Sequence, residues 1–193
     1  MTHENAIQLL TNKSLLIDEV AHILETFSGD ALIEASVAMN LSLRTSVHDI
    51  GLGKSDAMVD MLTKLAHSTD MSARWAVAKN PHTPAEVLTH LSNDSVNLVR
   101  ALVATNPTTP KPILQKLFND EKIVRDGLSG NPSTPLKLLL ILTDDTDAMV
   151  RMRVLENPSC TQALCQRLLN DPAPNVSHAA HATLERLTHV LPR

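Results

Sequence analysis

The dipeptide Asn-Pro occurs four times in this chain of 193 residues, and consecutive copies are separated by 26, 25 and 26 residues. A period of this length is typical of solenoids, in which each repeat buries its apolar side chains only against its neighbours. We therefore expect a stack of small units that do not fold in isolation. The four copies are Asn80-Pro81, Asn106-Pro107, Asn131-Pro132 and Asn157-Pro158.

Other residue types recur with the same period. Three of the Asn-Pro pairs are followed by Thr-Pro, namely Thr83-Pro84, Thr109-Pro110 and Thr134-Pro135. In the fourth copy Cys160-Thr161 takes this place. An apolar group at helical spacing comes next, and an acid follows it: Asp94, Asp120, Asp145 and Asp171. A small apolar residue and an arginine complete the pattern, and the arginines are Arg74, Arg100, Arg125 and Arg151.

These columns predict two short helices in each repeat. Thr before Pro predicts a helix start, because the hydroxyl can accept an amide hydrogen bond and proline at the first helical position has no donor to lose. The acid is suited to cap the second helix. That helix must end at the Asn, since a residue before proline is pushed out of the α region. The short helices are marginal alone and must pack on neighbouring repeats.

One period of the pattern runs from Val99-Arg100 through Val103-Ala104 and Asn106-Pro107-x-Thr109-Pro110 to Leu114, Leu117 and Asp120. This run resembles the leucine-rich repeat variant family, and the resemblance covers about residues 57–177. It implies a right-handed superhelix of alternating α and 3₁₀ helices, comparable in style to HEAT-like α-solenoids. A known member of the family has a cysteine-rich amino-terminal iron-sulfur segment. This chain has no cysteine before Cys160, so the resemblance implies the fold and no cofactor.

We expect a single all-α solenoid domain over residues 1–193, built from two-helix repeats. Residues 1–40 form a degenerate first repeat, because Val37 to Asn40 resembles Val77 to Asn80. Residues 41–56 are an inserted loop, and residues 57–177 are the regular repeats. At the end, Thr183 takes the place of the repeated Asn and no proline follows. Residues 178–193 are therefore predicted to be a helical cap.

Composition excludes several kinds of site. The net charge is −4, which gives no global attraction to a phosphate backbone. Aromatic residues make up 2% of the chain, which argues against stacking platforms for nucleic acids. Cys160 and Cys165 match neither a Cys-x-x-Cys motif nor a disulfide framework, so we expect a cytoplasmic protein. Met1 to Leu10 has no basic segment and no apolar run of secretory length, and no stretch approaches 18 uninterrupted apolar residues, so we expect neither export nor a membrane span.

The arginine column admits two interpretations. Arg74, Arg100, Arg125 and Arg151 could form a ladder of guanidinium groups that binds an anionic partner. Alternatively, they pair with the Asp column within or between repeats, as Asp94 precedes Arg100 by six residues. The Asn column has a structural interpretation as well: a buried amide that hydrogen-bonds loop carbonyls of the adjacent repeat.

Positions that vary inside the repeat are better candidates for a binding surface, because packing does not fix them. Trp75 and Met152 each follow the repeated Arg, and Lys79 lies one turn after Trp75. Trp75 could anchor a protein partner, because tryptophan is enriched in the energetic centres of interfaces. It could equally cover the inserted loop.

Two further motifs are better explained by ordinary structure than by a binding site. Gly51-Leu52-Gly53-Lys54-Ser55 lacks the full phosphate-loop spacing and has no strand before it. His178, His181 and Glu185 share one helical face, a coincidence that is common in a chain with nine histidines. We therefore predict no metal and no cofactor.

The predicted function is a non-enzymatic scaffold that binds another protein, with no membrane association. The alternative is a nucleic-acid-binding HEAT-like protein with a role in DNA repair. That alternative requires an Arg column free of Asp, and it predicts binding that weakens steeply with salt. An enzyme would be favoured by a deep cleft around the insert, lined by His48 and Asp49.

Overall fold

The structure is a computed structural model and describes residues 1–44 and 55–189. All regular secondary structure in these ranges is helical, which confirms the predicted all-α repeat fold. The helices are α1 (His3–Leu10), α2 (Ile17–Thr26), α3 (Ala31–Leu43), α4 (Asp56–Leu65), α5 (Met71–Lys79), α6 (Ala85–Leu91), α7 (Asn97–Thr105), α8 (Lys111–Leu117), α9 (Lys122–Gly130), α10 (Leu136–Leu142), α11 (Ala148–Glu156), α12 (Gln162–Leu168) and α13 (Pro174–His189).

The chain divides into two compact units, Met1–Thr109 and Pro110–Arg193. In the first unit, α3 packs against α5 and α5 packs against α7. In the second unit, α9 packs against α11 and α11 against α13. The second helices of consecutive repeats therefore lie side by side within each unit, and each short first helix joins one of them to the next.

Both helices of a regular repeat are α-helical in the described residues. The resemblance implied that one of the two would be a 3₁₀ helix, and this expectation is wrong here. In α6 the amide of Leu88 donates to the carbonyl of Pro84 at 3.0 Å, and that of Ser92 donates to Leu88 at 2.9 Å. These are i to i−4 bonds, the spacing of the α-helix.

The apolar columns form the core. The central leucine of each first helix is fully buried at Leu88, Leu114 and Leu139, and Cys165 is buried at the same position of the last repeat. The small apolar residue at the matching position of the second helices is also fully buried, as Ala73 in α5 and as Val99, Val124, Val150 and Val176 in the later helices. A short helix thus contributes one stripe of side chains, and the neighbouring repeat supplies the surface that covers it.

The repeated Thr has a different role from the one predicted. Its hydroxyl does not cap the helix that follows. It donates instead to a carbonyl near the end of the preceding helix: Thr83 to Val77 and Thr109 to Val103, both at 2.6 Å, and Thr134 to Leu128 at 2.7 Å. The reason is that the proline itself takes the N-cap position with an extended backbone, as at Pro84 (ψ 149°). The Thr hydroxyl is therefore left to satisfy one of the carbonyls that a helix end exposes.

Replacing Thr134 with valine should test this role. Valine keeps the shape of the side chain but removes the donor, so the buried Leu128 carbonyl loses its partner. We expect the free energy of unfolding to fall by about 1–2 kcal/mol, measured by urea denaturation. Thr134→Ser keeps the hydroxyl and should recover much of the loss. Equal stability of the valine variant and the wild type would show that the bond contributes nothing.

The two ends depart from the regular repeat. α3 continues through Asn40 to Leu43, because Leu41 stands where the regular repeats have proline. It thereby enters the segment expected to be an inserted loop, and residues 45–54 of that segment lie outside the described residues. α13 begins at Pro174 and runs through Thr183 without interruption.

Candidate functional site

The repeated Asn side chains connect neighbouring repeats through buried hydrogen bonds. The Asn106 amide nitrogen donates to the carbonyls of Ala78 and Asn80, at 2.8 and 2.9 Å. Asn157 does the same in the second unit, to Ser129 at 2.7 Å and Asn131 at 2.9 Å. The prediction of a buried amide that satisfies carbonyls of the adjacent repeat is confirmed at these positions.

The oxygen of the same side chain shapes the turn after the helix. Oδ1 of Asn157 accepts the amide of Ser159 at 2.8 Å, and Oδ1 of Asn80 accepts that of His82 at 2.9 Å. This is the Asx turn, in which the side chain mimics a backbone carbonyl. A single Asn therefore closes its own loop and binds the preceding one.

The Asn network changes at the junction between α3 and α5. The Asn80 amide nitrogen is buried and has no hydrogen-bond partner among the described residues. In the regular repeats this amide binds carbonyls at a helix end. Because α3 continues past Asn40 to Leu43, the carbonyls near Asn40 accept hydrogen bonds from amides of α3 itself and are not left for the Asn80 side chain.

Three of the repeated Arg side chains pair with an Asp of the following repeat, 20 residues later. The pairs are Arg74 with Asp94, Arg125 with Asp145 and Arg151 with Asp171, each with Nε 2.6 Å from a carboxylate oxygen. The second carboxylate oxygen binds Nη2 of the same Arg, so each pair is bidentate. Of the arrangements left open by the sequence, these three pairs adopt the one between repeats.

The Asp side chains were predicted to cap the second helix, and in the regular repeats this is wrong. Asp94 accepts the amide of Val96, and Asp171 accepts that of Ala173, which forms a turn ahead of the helix. The carboxylate is thereby aimed at the Arg of the preceding repeat. Other Asp residues do cap helices directly: Asp30 caps α3, Asp70 caps α5 and Asp147, two residues after Asp145, caps α11.

Each guanidinium also holds the loop of its own repeat. Nη1 of Arg100 donates to the carbonyl of Asp94 at 2.8 Å, and Nη1 of Arg151 donates to that of Asp145 at 2.7 Å. Hydrogen bonding to Arg151 lowers the pKa of the Asp171 carboxyl below its ordinary value, against the opposing effect of burial. The Arg side chains therefore contribute to the framework that joins the repeats.

The variable positions lie outside this framework. Trp75 is half-buried on α5, and the exposed Lys79 places Nζ 5.1 Å from the centre of the indole ring. Met152 occupies the matching position on α11, but it packs against the core cluster that includes Leu155 and Cys165. Trp75 and Lys79 thus form a cation–π pair at the surface. Met152, in contrast, is partly buried against the core.

The remaining candidates show no convergent chemistry. Among the described residues, no three His, Cys, Asp or Glu side chains are grouped so that they could hold a metal ion. The thiols of Cys160 and Cys165 lie 3.7 Å apart, and burial together with Cys165 raises the pKa of Cys160 to about 12. The glycine-containing segment from Gly51 to Lys54, with His48 and Asp49, lies outside the described residues.

No family model and no curated protein matches the chain. One solved structure is similar to this chain, and it is described as a leucine-rich repeat variant with a novel repetitive protein structural motif. The superposition covers 93% of this chain and 80% of the solved chain, with a TM-score of 0.51. The chain has a leucine-rich repeat variant fold. At 20% sequence identity, this similarity concerns the fold alone.

Within residues 1–44 and 55–189, no helix is both long and apolar enough to cross a membrane.

The leucine-rich repeat variant framework begins earlier than the sequence pattern indicated. Asn12 lies 28 residues before Asn40, and its Oδ1 accepts the amide of Ser14 as the regular Asn residues do. Asn40 in turn donates to the carbonyls of Leu10 and Asn12. This separation of 28 residues exceeds the regular period of 25 or 26 and no proline follows Asn12, so the period alone does not reveal this member.

A second missed pair occupies framework positions with changed residue types. Glu34 lies six residues before Asn40, the place of Arg in the regular repeats, and Ser68 lies twelve before Asn80, the place of Asp. The Ser68 hydroxyl donates to the Glu34 carboxylate. These two residues make a contact between repeats at the same positions as the regular Arg and Asp, but a carboxylate and a hydroxyl replace the guanidinium and the carboxylate.

Proposed function

We propose that this chain is a non-enzymatic scaffold that binds another protein through the surface around Trp75. The observation that carries the proposal is a difference between the repeated side chains and the variable ones. The Asn, Arg and Asp residues described above are engaged between repeats, whereas Trp75 and Lys79 present an aromatic ring and a charge outside that framework.

Trp75 has the properties of an interface anchor. Tryptophan offers a large rigid surface at a small entropic cost, and such residues dominate the binding energy of many interfaces. The ring is partly accessible, and Lys79 places a charge over the ring that can pair with an acidic group of a partner. The packed helices of the first unit suit this kind of contact, because stacked repeats present a continuous surface to a macromolecule.

The ion pairs favour a protein partner over a nucleic acid. A phosphate would have to displace Asp94, Asp145 or Asp171 from a bidentate contact with its Arg. The net charge of −4 adds no attraction. Binding of a protein at Trp75 therefore leaves these ion pairs intact, whereas binding of DNA through the Arg column requires them to break.

The proposal can be tested by affinity capture from the native host followed by quantitative mass spectrometry. Trp75→Ala should reduce recovery of the specific partner by about 10-fold or more, since an anchor of this kind contributes roughly 2 kcal/mol or more. Leu98→Ala is the matched control, because Leu98 is an exposed apolar residue on α7 of the same unit. It should leave recovery unchanged, and circular dichroism should show that both variants fold.

Two results would contradict the proposal. Equal recovery of the same proteins by wild type and Trp75→Ala would remove Trp75 from the binding surface. Binding of duplex DNA by the purified chain, with an affinity that falls steeply between 50 and 200 mM salt, would favour the nucleic-acid alternative.

A further inference from the structure

One junction in the first unit has a carboxylate where the regular repeats have a guanidinium. At the next junction, Arg74 and Asp94 form a bidentate ion pair. At the equivalent positions one repeat earlier, Glu34 accepts a hydrogen bond from Ser68. The side-chain contact between these two repeats therefore joins a carboxylate to a hydroxyl. The nearby Arg74 guanidinium donates to the carbonyls of Ser68 and Thr69, and its counterion is Asp94.

A surface pocket of about 480 Å³ opens beside Glu34 and Ser68. It is bounded by the end of α2, the end of α4 and the loop before α5, and its lining includes the hydroxyl-bearing residues Ser28 and Thr69. Gly29 has a φ of +83°, and nothing lies within 4 Å of the place where a Cβ would project. The pocket thus combines polar hydrogen-bonding groups with open space.

Among the residues that the structure describes, none forms an ion pair with Glu34. Lys64 Nζ lies 3.8 Å from the carboxylate of Glu25, and both of these side chains are largely exposed. Ser68 binds one carboxylate oxygen of Glu34, while the other oxygen accepts no hydrogen bond from any residue that the structure describes. A cation that enters the pocket would find an oriented carboxylate with one oxygen available.

We propose that this pocket binds the guanidinium group of an arginine side chain on a protein partner. This inference rests on the scaffold function and specifies one group that the partner presents. The incoming guanidinium takes the role that the chain's own Arg has at the next junction, with Glu34 as its counterion. A guanidinium has five donors in one plane, which suits a pocket lined by the Glu34 carboxylate and by the hydroxyl-bearing residues Ser28 and Thr69.

The experiment is an NMR titration of the full chain with Nα-acetyl-L-arginine methylamide. Saturable shifts should appear at the amides of Glu34, Ser68 and Thr69, with a dissociation constant on the order of 1–10 mM for so small a probe. The citrulline analogue has the same shape without the charge, and it should bind at least about 10-fold more weakly. Binding of the citrulline or lysine analogue as tightly as the arginine analogue would overturn the proposal.

Two variants locate the site. Glu34→Gln should weaken arginine binding by about 10-fold or more, whereas Glu4→Gln, which changes an exposed carboxylate of the same unit, should not. The double variant Glu34→Arg with Ser68→Asp installs the regular ion pair, so it should fold and lose arginine binding. Unchanged binding in either Glu34 variant would reject the pocket.

These outcomes are separate from those of the scaffold proposal. Arginine binding at the pocket without any captured protein would support the proposed arginine site and contradict the scaffold proposal. Captured partners that Trp75→Ala loses, together with no arginine binding, would support the scaffold and reject the pocket.

Discussion

Replacing Asn157 with alanine should lower the free energy of unfolding by about 3 kcal/mol. The substitution removes the donors to the carbonyls of Ser129 and Asn131, and it removes the acceptor for the amide of Ser159. Each buried group left without a partner costs about 1–3 kcal/mol. The loss should be visible in urea denaturation followed by circular dichroism, as a lower transition midpoint.

Asn157→Asp separates the hydrogen bonds from the packing. Aspartate has the same shape but replaces the donating nitrogen with an oxygen, which would face two carbonyl oxygens at 2.7 and 2.9 Å. We expect this variant to lose at least as much stability as alanine. The matched control is Asn175→Ala at an exposed position, where the effect should stay within about 0.5 kcal/mol. An aspartate variant as stable as wild type would contradict this account of the Asn column.

Arg151→Met should have the second large effect, a loss of about 3–4 kcal/mol at pH 7. The Arg151 and Asp171 side chains are 10% and 2% exposed, so the substitution leaves a buried carboxylate without its counterion. The carbonyl of Asp145 loses a donor as well. The same change at Arg167, whose partner Asp144 is 68% exposed, should cost less than about 1 kcal/mol.

The effect of Arg151→Met should depend on pH in one direction. The pKa of Asp171 is lowered in the folded chain, so the ion pair stabilises the protein above the ordinary value of 3.8. That stability is lost as the pH falls through the lowered pKa. The difference between wild type and variant should therefore be full at pH 7 and shrink below about pH 4, in denaturation curves measured across that range. A difference that is constant from pH 7 to pH 2 would assign the loss to packing.

The sequence predicted the contacts that depend on the period alone. The Asn column recurs with the repeat, so its amides had to meet the same part of the preceding repeat, and Asn106 and Asn157 do so. The partner of each Arg was less predictable. Asp94 lies six residues before Arg100, yet it pairs with Arg74 of the preceding repeat, because consecutive second helices lie side by side.

Other features depend on local geometry or on position rather than residue type. Thr before Pro has the composition of a helix start, but the extended proline turns the Thr hydroxyl toward the preceding helix. Glu34 and Ser68 escaped notice because their residue types differ from Arg and Asp, although their distances from the Asn column are the same. Their contact became evident only when the repeats were placed beside each other in space.

The central claim is that the side-chain amide of one repeat holds the loop of the repeat before it. NMR spectroscopy can observe these bonds directly, through the exchange rates of the Asn side-chain amide protons and their scalar couplings to carbonyl carbons. The Nδ2 protons of Asn157 should exchange slowly and couple to the carbonyls of Ser129 and Asn131, and those of Asn106 to Ala78 and Asn80. Exchange as fast as that of the exposed Asn175, with no such couplings, would contradict the claim.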